Sequence, residues 1–293
     1  MQATGSLGAA VLDAVVASGK FTDTITILSR EAKSAPAGVK VATVSYDSKS
    51  SLQAALKGAD VVISTLGGAA ISKEFLLIDA AAAAGVSRFI PSAFGADLDN
   101  VANKATPIFG EKVAIQELLR KLAAENKLSY TIISNNAFLD WGLKVGMIQD
   151  PRNKVAVLRD GGDRPFTTTT LATVGQAVVG VLTHLEETKN RALKISEVEI
   201  TLKELLAISQ EVVGSDGWTV QESDTAASLA KSNEMVKQGI FTEQTFMLAV
   251  DRALWGDENG GLFVPNDNDL LGIKKSDRTR IKKLIEDVVA GVL

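Results

Sequence analysis

The chain has 293 residues and a 46% hydrophobic fraction, enough for one large domain or a domain with a smaller lobe. Its formal net charge of −4 argues against nonspecific nucleic-acid binding, which needs a basic face. With no cysteine and one histidine, disulfides, thiolate metal sites, cysteine nucleophiles and a histidine-rich metal centre are all excluded.

The first recognisable element is a glycine-rich turn, Ala3-Thr-Gly-Ser-Leu-Gly8, running straight into a helical pattern with Leu7, Val11, Ala14 and Val15 on one stripe. Gly5 and Gly8 are spaced as the second and third glycines of a dinucleotide-binding turn. Small residues there let the backbone of Thr4, Gly5, Ser6, Leu7 and Gly8 approach a pyrophosphate, facing it with helix N-terminal amides. Gln2 occupies the place of the first glycine, and the strand that normally precedes such a turn is not visible. That strand is central in the order 3-2-1-4-5-6. Its loss removes buried side chains worth roughly 1.5–3 kcal/mol each. Three outcomes follow: a segment ahead of the displayed chain, closure of the flanking strands, or a persisting gap that weakens cofactor binding.

Thr24 to Ser29 alternates as a strand with Arg30 at its end, about 20 residues past the glycines. Arg30, helped by Lys33 and Ser34, suits the 2′-phosphate of NADP(H) through charge-assisted hydrogen bonds. The plain alternative is a solvated arginine at a strand end. Strand and helix patterns then alternate. Val39–Ser45 is a strand, Ser50–Leu56 a short helix, Asp60–Thr65 an apolar strand leading to Leu66-Gly67-Gly68, and Ser72–Ala84 a helix ending at Gly85. Arg88–Ser92 is the next strand, followed by a loop to about Thr106, a helix over 107–125 and a strand over Leu128–Ser134. Continuous apolar strands separated by helices predict a parallel sheet covered on both faces.

Past Asn135 the pattern loosens. Lys154–Leu158 and Ala192–Ile195 read as strands, and Val174–Leu185, Leu202–Val213 and Ser276–Val289 as helices. Asp257–Gly272, rich in Gly, Asn and Asp, reads as a surface loop, with a mobile lid as the alternative. The fold class predicted is α/β, a Rossmann-type doubly wound parallel sheet without its first strand, plus a small C-terminal substrate lobe. Residues 1–150 form the dinucleotide-binding core; residues 151–293 complete the sheet and supply the lobe without being an independent domain. No apolar run reaches membrane-spanning length and no targeting peptide is visible, so a soluble cytoplasmic protein is expected.

Several segments together resemble the isoflavone-reductase-like branch of the NmrA-like family, an atypical branch of the short-chain dehydrogenase/reductases. They are Thr4-Gly-Ser-Leu-Gly8, Leu28-Ser-Arg30, Val62-Ile-Ser-Thr65, Arg88-Phe-Ile-Pro-Ser-Ala-Phe-Gly95 and Phe109-Gly-Glu-Lys112, with looser agreement at Asn135–Phe138 and Ile195–Leu205. The resemblance implies an NADP(H)-binding domain with a substrate cleft beside the nicotinamide. It implies that Arg30 contacts the 2′-phosphate and that Thr65, Leu66 and Gly67 run along the cofactor. Ser92, Ala93 and Phe94 would lie near the nicotinamide ribose, and Asn136, Ala137 and Phe138 would border nicotinamide and substrate. Lys112 matches the family's catalytic lysine. Ala93 stands where relatives often carry an acid, so substrate transfer from the family is open at that contact.

The chemistry suits a lysine. Hydride addition to a conjugated acceptor leaves an oxyanion, which an ammonium stabilises and protonates. By position alone Lys112 is an ordinary helix lysine, and only the resemblance gives it this role. His184 reads as a helix-end residue, and Asp140, Trp141 and Lys144 as a helix start that could edge the pocket. Phe138, Trp141 and Phe166 are candidate apolar walls, with a place in the core as the alternative for each. The resulting expectation is an NADPH-dependent reductase of a small aromatic or conjugated substrate. The alternatives are an NADP(H)-binding sensor with a protein partner and no turnover, or an inactive remnant.

Overall fold

A computed structural model describes residues 5–21, 23–258 and 260–292. The elements of the N-terminal half are α1 (Ser6–Ala17), β1 (Thr26–Ser29), β2 (Lys40–Thr43), α2 (Lys49–Leu56), β3 (Val61–Ile63), α3 (Lys73–Ala84), β4 (Arg88–Ile90), α4 (Val101–Lys104), α5 (Gly110–Ala124) and β5 (Ser129–Ser134). There follow β6 (Ala137–Phe138), α6 (Leu139–Lys144), β7 (Gln149–Asp150), β8 (Val155–Arg159), β9 (Phe166–Thr169), α7 (Leu171–Thr183), β10 (Arg191–Lys194) and β11 (Val198–Ile200). The chain ends with α8 (Leu202–Val213), β12 (Thr219–Ser223), α9 (Thr225–Lys237), α10 (Glu243–Trp255), α11 (Asn268–Leu271) and α12 (Arg278–Val289).

The α/β class and the Rossmann-type parallel sheet follow directly from the pairing. β3, β4, β5 and β10 form one sheet in the order β10-β5-β4-β3, every pair parallel. β1 and β2 pair in parallel as a separate two-stranded sheet. Among the described residues no strand lies between β1 and β3, and these two do not pair with each other. A cavity of about 1290 Å³ occupies the space between them, lined by Val11, Leu12 and Val15 of α1, Leu28 of β1 and Val62 of β3. Among the described residues the facing edges of β1 and β3 share no ladder, and their side chains Leu28 and Val62 are buried.

Local sequence explains where the covering helices stop and how closely they pack. Gly85 ends α3 in the left-handed region at φ +78°, which glycine adopts without a Cβ penalty. α1 crosses α7 at Gly175, where an added Cβ would stand 2.7 Å from the Ala10 carbonyl oxygen. That close approach sets α1 over an apolar cluster containing Val11, Val15, Ile90, Ile133, Val174 and Val178.

The C-terminal half is built differently. β11, β9 and β6 form one small sheet and β12, β8 and β7 another. They pack with α6, α8 and α12 around Phe166, Leu205, Trp255 and Ile285. Phe166 meets Trp255 edge-on at 5.6 Å inside this core. At 1% exposure it is a core residue, the second of the two readings open from the sequence. The segment Asp257–Gly272 is largely an exposed loop, as expected, and is fastened to the lobe at several points. The Thr167 amide donates to Gly261 O at 2.8 Å, the Phe263 amide to Thr167 Oγ1 at 2.9 Å and the Asp267 amide to Lys194 O at 2.7 Å, and the segment includes α11. The expected loop up to Thr106 contains α4, capped by Asn100, and the expected helix over 107–125 opens with a 3₁₀ turn at Pro107–Phe109.

Candidate active site

In a parallel sheet, ligand sites form beyond the carboxyl ends of the strands. Three such ends are bound together here. The Ser92 hydroxyl after β4 donates to Leu66 O after β3 at 2.6 Å. The amides of Asn135 and Asn136 after β5 both donate to Gly95 O, at 3.1 and 2.9 Å. The residues expected from the sequence at 65–67, 92–94 and 136–138 thus lie on one edge of the sheet. Thr65, Leu66, Ser92, Ala93, Phe94 and Asn136 are buried, Phe138 is half-buried and Gly67 is exposed.

Burial divides these residues by what their side chains do. Phe94 packs into the cluster beneath α1, and Ala93 into the apolar cluster on the opposite face of the sheet. Their backbones, not their side chains, border the edge. Asn136 adopts φ +55° and spends its side-chain amide inside the protein, donating to Thr167 O at 2.8 Å and Gly261 O at 2.7 Å. It fastens β5 to β9 and to the segment at Gly261. The Thr65 hydroxyl is buried without a hydrogen-bond partner, a polar atom of the kind that a bound group satisfies.

The glycine turn opens α1 as the spacing predicted. Gly5 is the N-cap with extended backbone, and no side chain caps the helix. The first intrahelical bond runs from the Ala9 amide to Gly5 O at 2.8 Å, leaving the amides of Ser6, Leu7 and Gly8 in the uncapped first turn. Gly5 and Ser6 are exposed, Leu7 half-buried and Gly8 buried. Thr4 lies outside the described residues. Arg30, directly after β1, is exposed, as are Lys33 and Ser34. Arg30 is close enough to Tyr46 to act on its hydroxyl, whose pKa burial nevertheless raises to about 12.

Lys112 sits in the first turn of α5 in a recess of intermediate exposure. Burial pulls its ammonium below the ordinary lysine range, and the charge of Glu74 opposes that shift. Glu74 is the residue that sequence reading missed. Its Oε1 accepts the Ser92 amide at 2.8 Å, and burial raises its carboxyl above the usual carboxylate range. A signal existed: Glu74, Leu77, Ile78 and Ala81 share the i, i+3, i+4, i+7 stripe that α3 buries. A carboxylate on an apolar stripe needs a reason.

Phe109 meets Phe246 of α10 edge-on at 5.9 Å, and Ile108, Val113 and Ala249 join the same cluster. Trp141 is half-buried in α6, where Asp140 accepts the Leu171 amide at 3.1 Å and so caps α7. His184 caps the far end of α7, its Nδ1 2.9 Å from Gly180 O. Among the described residues no group of three or more acids or histidines converges as a metal site. No described helix is long and apolar enough to cross a membrane.

Comparison with known proteins places this geometry. The family model of the NmrA-like family matches residues 1–232. The oxidoreductase poxI of Penicillium oxalicum is 32% identical over 301 aligned residues, spanning 100% of this chain and 92% of that protein. The isoflavone reductase homolog IRL of Zea mays is 37% identical over 174 residues, spanning 54% of this chain and 55% of that protein. The binary complex of leucoanthocyanidin reductase with NADPH from Vitis vinifera superposes with a TM-score of 0.76 at 18% identity, covering 98% of this chain and 97% of that one. The chain belongs to the NmrA-like family, in its isoflavone-reductase-like branch.

Proposed function

We propose that the protein is an NADPH-dependent reductase of a small aromatic or conjugated substrate. The observation that carries this reading is Lys112 in the first turn of α5, its pKa lowered by burial, three residues after Phe109, which meets Phe246 edge-on. Family membership and the NADPH of the leucoanthocyanidin reductase complex support it.

The residues present fit the cofactor. The uncapped first turn of α1 offers the amides of Ser6, Leu7 and Gly8 to a pyrophosphate, with the helix dipole favouring the anion. Arg30 offers an exposed guanidinium at the end of β1, suited to the 2′-phosphate, with Lys33 nearby in sequence. Thr65, Leu66 and Gly67, then Ser92 to Phe94, line the strand ends along which the dinucleotide would lie. Phe138 and the backbone of Asn136 would border the nicotinamide end.

When bound, NADPH supplies the hydride. Lys112 does the rest of the chemistry assigned here: its ammonium stabilises the oxygen that gains charge and delivers a proton to it. A lowered pKa makes it the better proton donor near neutrality. Phe246, exposed on α10, and half-buried Trp141 are the aromatic side chains that would hold the substrate's apolar body.

The test is to titrate NADPH and NADH separately by fluorescence, then measure NADPH consumption over a panel of conjugated aromatics. NADPH should bind more tightly than NADH, and Lys112→Ala should slow turnover by about 100-fold or more. Turnover that Lys112→Ala leaves unchanged would refute the lysine's role. Tight NADPH binding with no turnover on any acceptor would point instead to a cofactor sensor.

A further inference from the structure

The cavity between β1 and β3 has walls of two kinds. Two of them are strand edges. At β3 the Arg88 amide donates to Asp60 O at 3.1 Å and the Ser64 amide to Ile90 O at 2.8 Å. The bonding residues of a strand in a parallel ladder alternate, so Asp60, Val62 and Ser64 face β4 while Val61 and Ile63 turn their amides and carbonyls the other way. At β1 the carbonyls of Ile25 and Ser29 accept the Lys40 and Val44 amides at 2.9 and 2.8 Å, so Thr26 and Leu28 turn away from β2 in the same manner. Thr26, Val61 and Ile63 all line the cavity. Leu28 O, on that edge, accepts the Tyr46 hydroxyl at 3.3 Å.

The other two walls are apolar. Leu12 and Val15 of α1 close one face, and Leu56 of α2 and Leu77 of α3 close the opposite one. Water filling this space would wet both faces, and an acyl chain would offer the strand edges no hydrogen bond. An extended peptide with apolar side chains above and below satisfies all four walls together. The lengths of β1 and β3, four and three residues, set its span at four or five residues, about 13–17 Å.

Charge gives the direction. Lys40 opens β2, Lys57 and Asp60 precede β3, and Lys127 and Lys189 precede β5 and β10, all lining the cavity at the amino ends of strands. With Asp23 and Glu186, the lysines outnumber the acids four to three there, and Arg88 is engaged with Ser129 and Thr131. A strand entering parallel to β3 brings its own amino end to this mouth, where acidic residues are favoured.

We propose that the cavity is a strand-acceptor site. It takes an extended segment of another polypeptide, four or five apolar residues preceded by acids, as a parallel strand between β1 and β3. The two sheets then become one, ordered β2-β1-incoming strand-β3-β4-β5-β10. The backbone of the segment gives affinity through two ladders, and its alternating side chains give selectivity above and below the sheet.

The test uses the unmodified protein and a peptide of about five alternating valines and isoleucines, with a pair of glutamates and then fluorescein at its amino end. Anisotropy should show saturable binding. The same peptide N-methylated at every second residue keeps its apolar surface but loses the donors of one ladder, and should bind about 10-fold more weakly or worse. Lysines in place of the glutamates should weaken binding, most at low salt. Hydrogen exchange reports the place: peptide should slow the amides of Val61 and Ile63 far more than that of Val62, which already faces β4. Absence of saturable binding overturns the proposal. So does an N-methylated peptide that binds as well as its parent, or exchange at Val61 and Ile63 that the peptide leaves unchanged. Laurate that displaces an apolar dye from the protein where the peptide does not would assign the cavity to an acyl chain instead.

Discussion

Glu74 and Glu197 are almost equally buried, at 1% and 2% exposure, yet their carboxyls are tuned in opposite directions. Burial is the largest influence on both and pushes both up. At Glu197 hydrogen bonds overrule it. Oε2 accepts the Thr170 amide at 2.8 Å and the Thr170 hydroxyl at 2.7 Å, and Oε1 accepts the Ser276 hydroxyl at 2.7 Å with Arg280 Nε 3.5 Å away. At Glu74 one oxygen is bonded and the other is bare. A fully bonded buried carboxylate ties a structure together, whereas a half-bonded one keeps an electrostatic demand that a neighbouring cation can answer.

The same contrast runs through the two halves. In the C-terminal half, polar side chains hold short strands in place. Arg159 donates to Ile148 O at 3.0 Å and Met147 O at 2.8 Å, pairs with Asp251 at 3.0 Å and lies 4.2 Å from the Trp255 ring centre. In the N-terminal half a cavity lies between β1 and β3, and the Tyr46 hydroxyl donates to Leu28 O of β1 at 3.3 Å. The strongest test of this difference supplies the ladder. A chain extended ahead of Ala3 by four apolar residues, with Gln2 replaced by glycine, should fill the space between β1 and β3. At roughly 1.5–3 kcal/mol per buried apolar side chain, the gain is on the order of 6–12 kcal/mol. Urea denaturation measures it, and hydrogen exchange should slow at the facing edges of β1 and β3. Equal stability of the two chains would show that the cavity does not accept a strand.

The next effect breaks the better-bonded half. Glu197→Ala strands the Thr170 amide and the hydroxyls of Thr170 and Ser276, and should cost about 3–5 kcal/mol, as when one partner of a buried charged network is removed. The pH dependence then distinguishes the two acids. A carboxyl lowered in the folded state gives stability that is present above its ordinary range and lost as pH falls through its folded value. Glu197 should therefore weaken the fold below about pH 4.5, the ordinary glutamate value, and Glu197→Gln should blunt that loss. Glu74, being raised, works the other way: its contribution is full in acid and is lost as pH rises through its folded value. Melting curves of parent and Glu74→Gln should thus diverge in the variant's favour on moving from pH 4.5 towards neutrality. Convergent curves would contradict the half-bonded geometry.

What the sequence made legible follows from the same physics. α3 and α8 were readable because large aliphatic residues repeat at helical spacing, and α8 adds the Thr201–Glu204 capping box. α9 and α10 were not expected. α10 buries Thr245, Ala249 and Ala253 at four-residue spacing, and such small residues do not read as an apolar stripe. α9 buries only Thr225 and Ser232. β6 and β7 have two residues each, and their pairing partners alone make them strands. At the site, the turn at Gly5–Gly8 and Arg30 could be singled out because their chemistry shows in residue type and spacing, whereas Lys112 stood out only through the family resemblance. For Glu74 the spacing marks only an acid on an apolar stripe; its partner, a backbone amide 18 residues away, does not show in the sequence.

The smallest effect probes how the glycine turn depends on packing far along the chain. Gly175 lets α7 press against α1, and a Cβ there would stand 2.7 Å from Ala10 O and 2.8 Å from the Ala14 Cβ. A backbone carbonyl cannot rotate away as a side chain could, so α1 itself must shift. Gly175→Ala should cost about 1–3 kcal/mol, the usual penalty for overpacking. Because α1 carries the amides of Ser6, Leu7 and Gly8 at its start, the shift also moves the turn relative to Arg30. NADPH affinity should then fall by more than NADH affinity if phosphate and pyrophosphate are gripped from both places. A variant that loses stability while both affinities stay unchanged would show that the turn is held independently of α7.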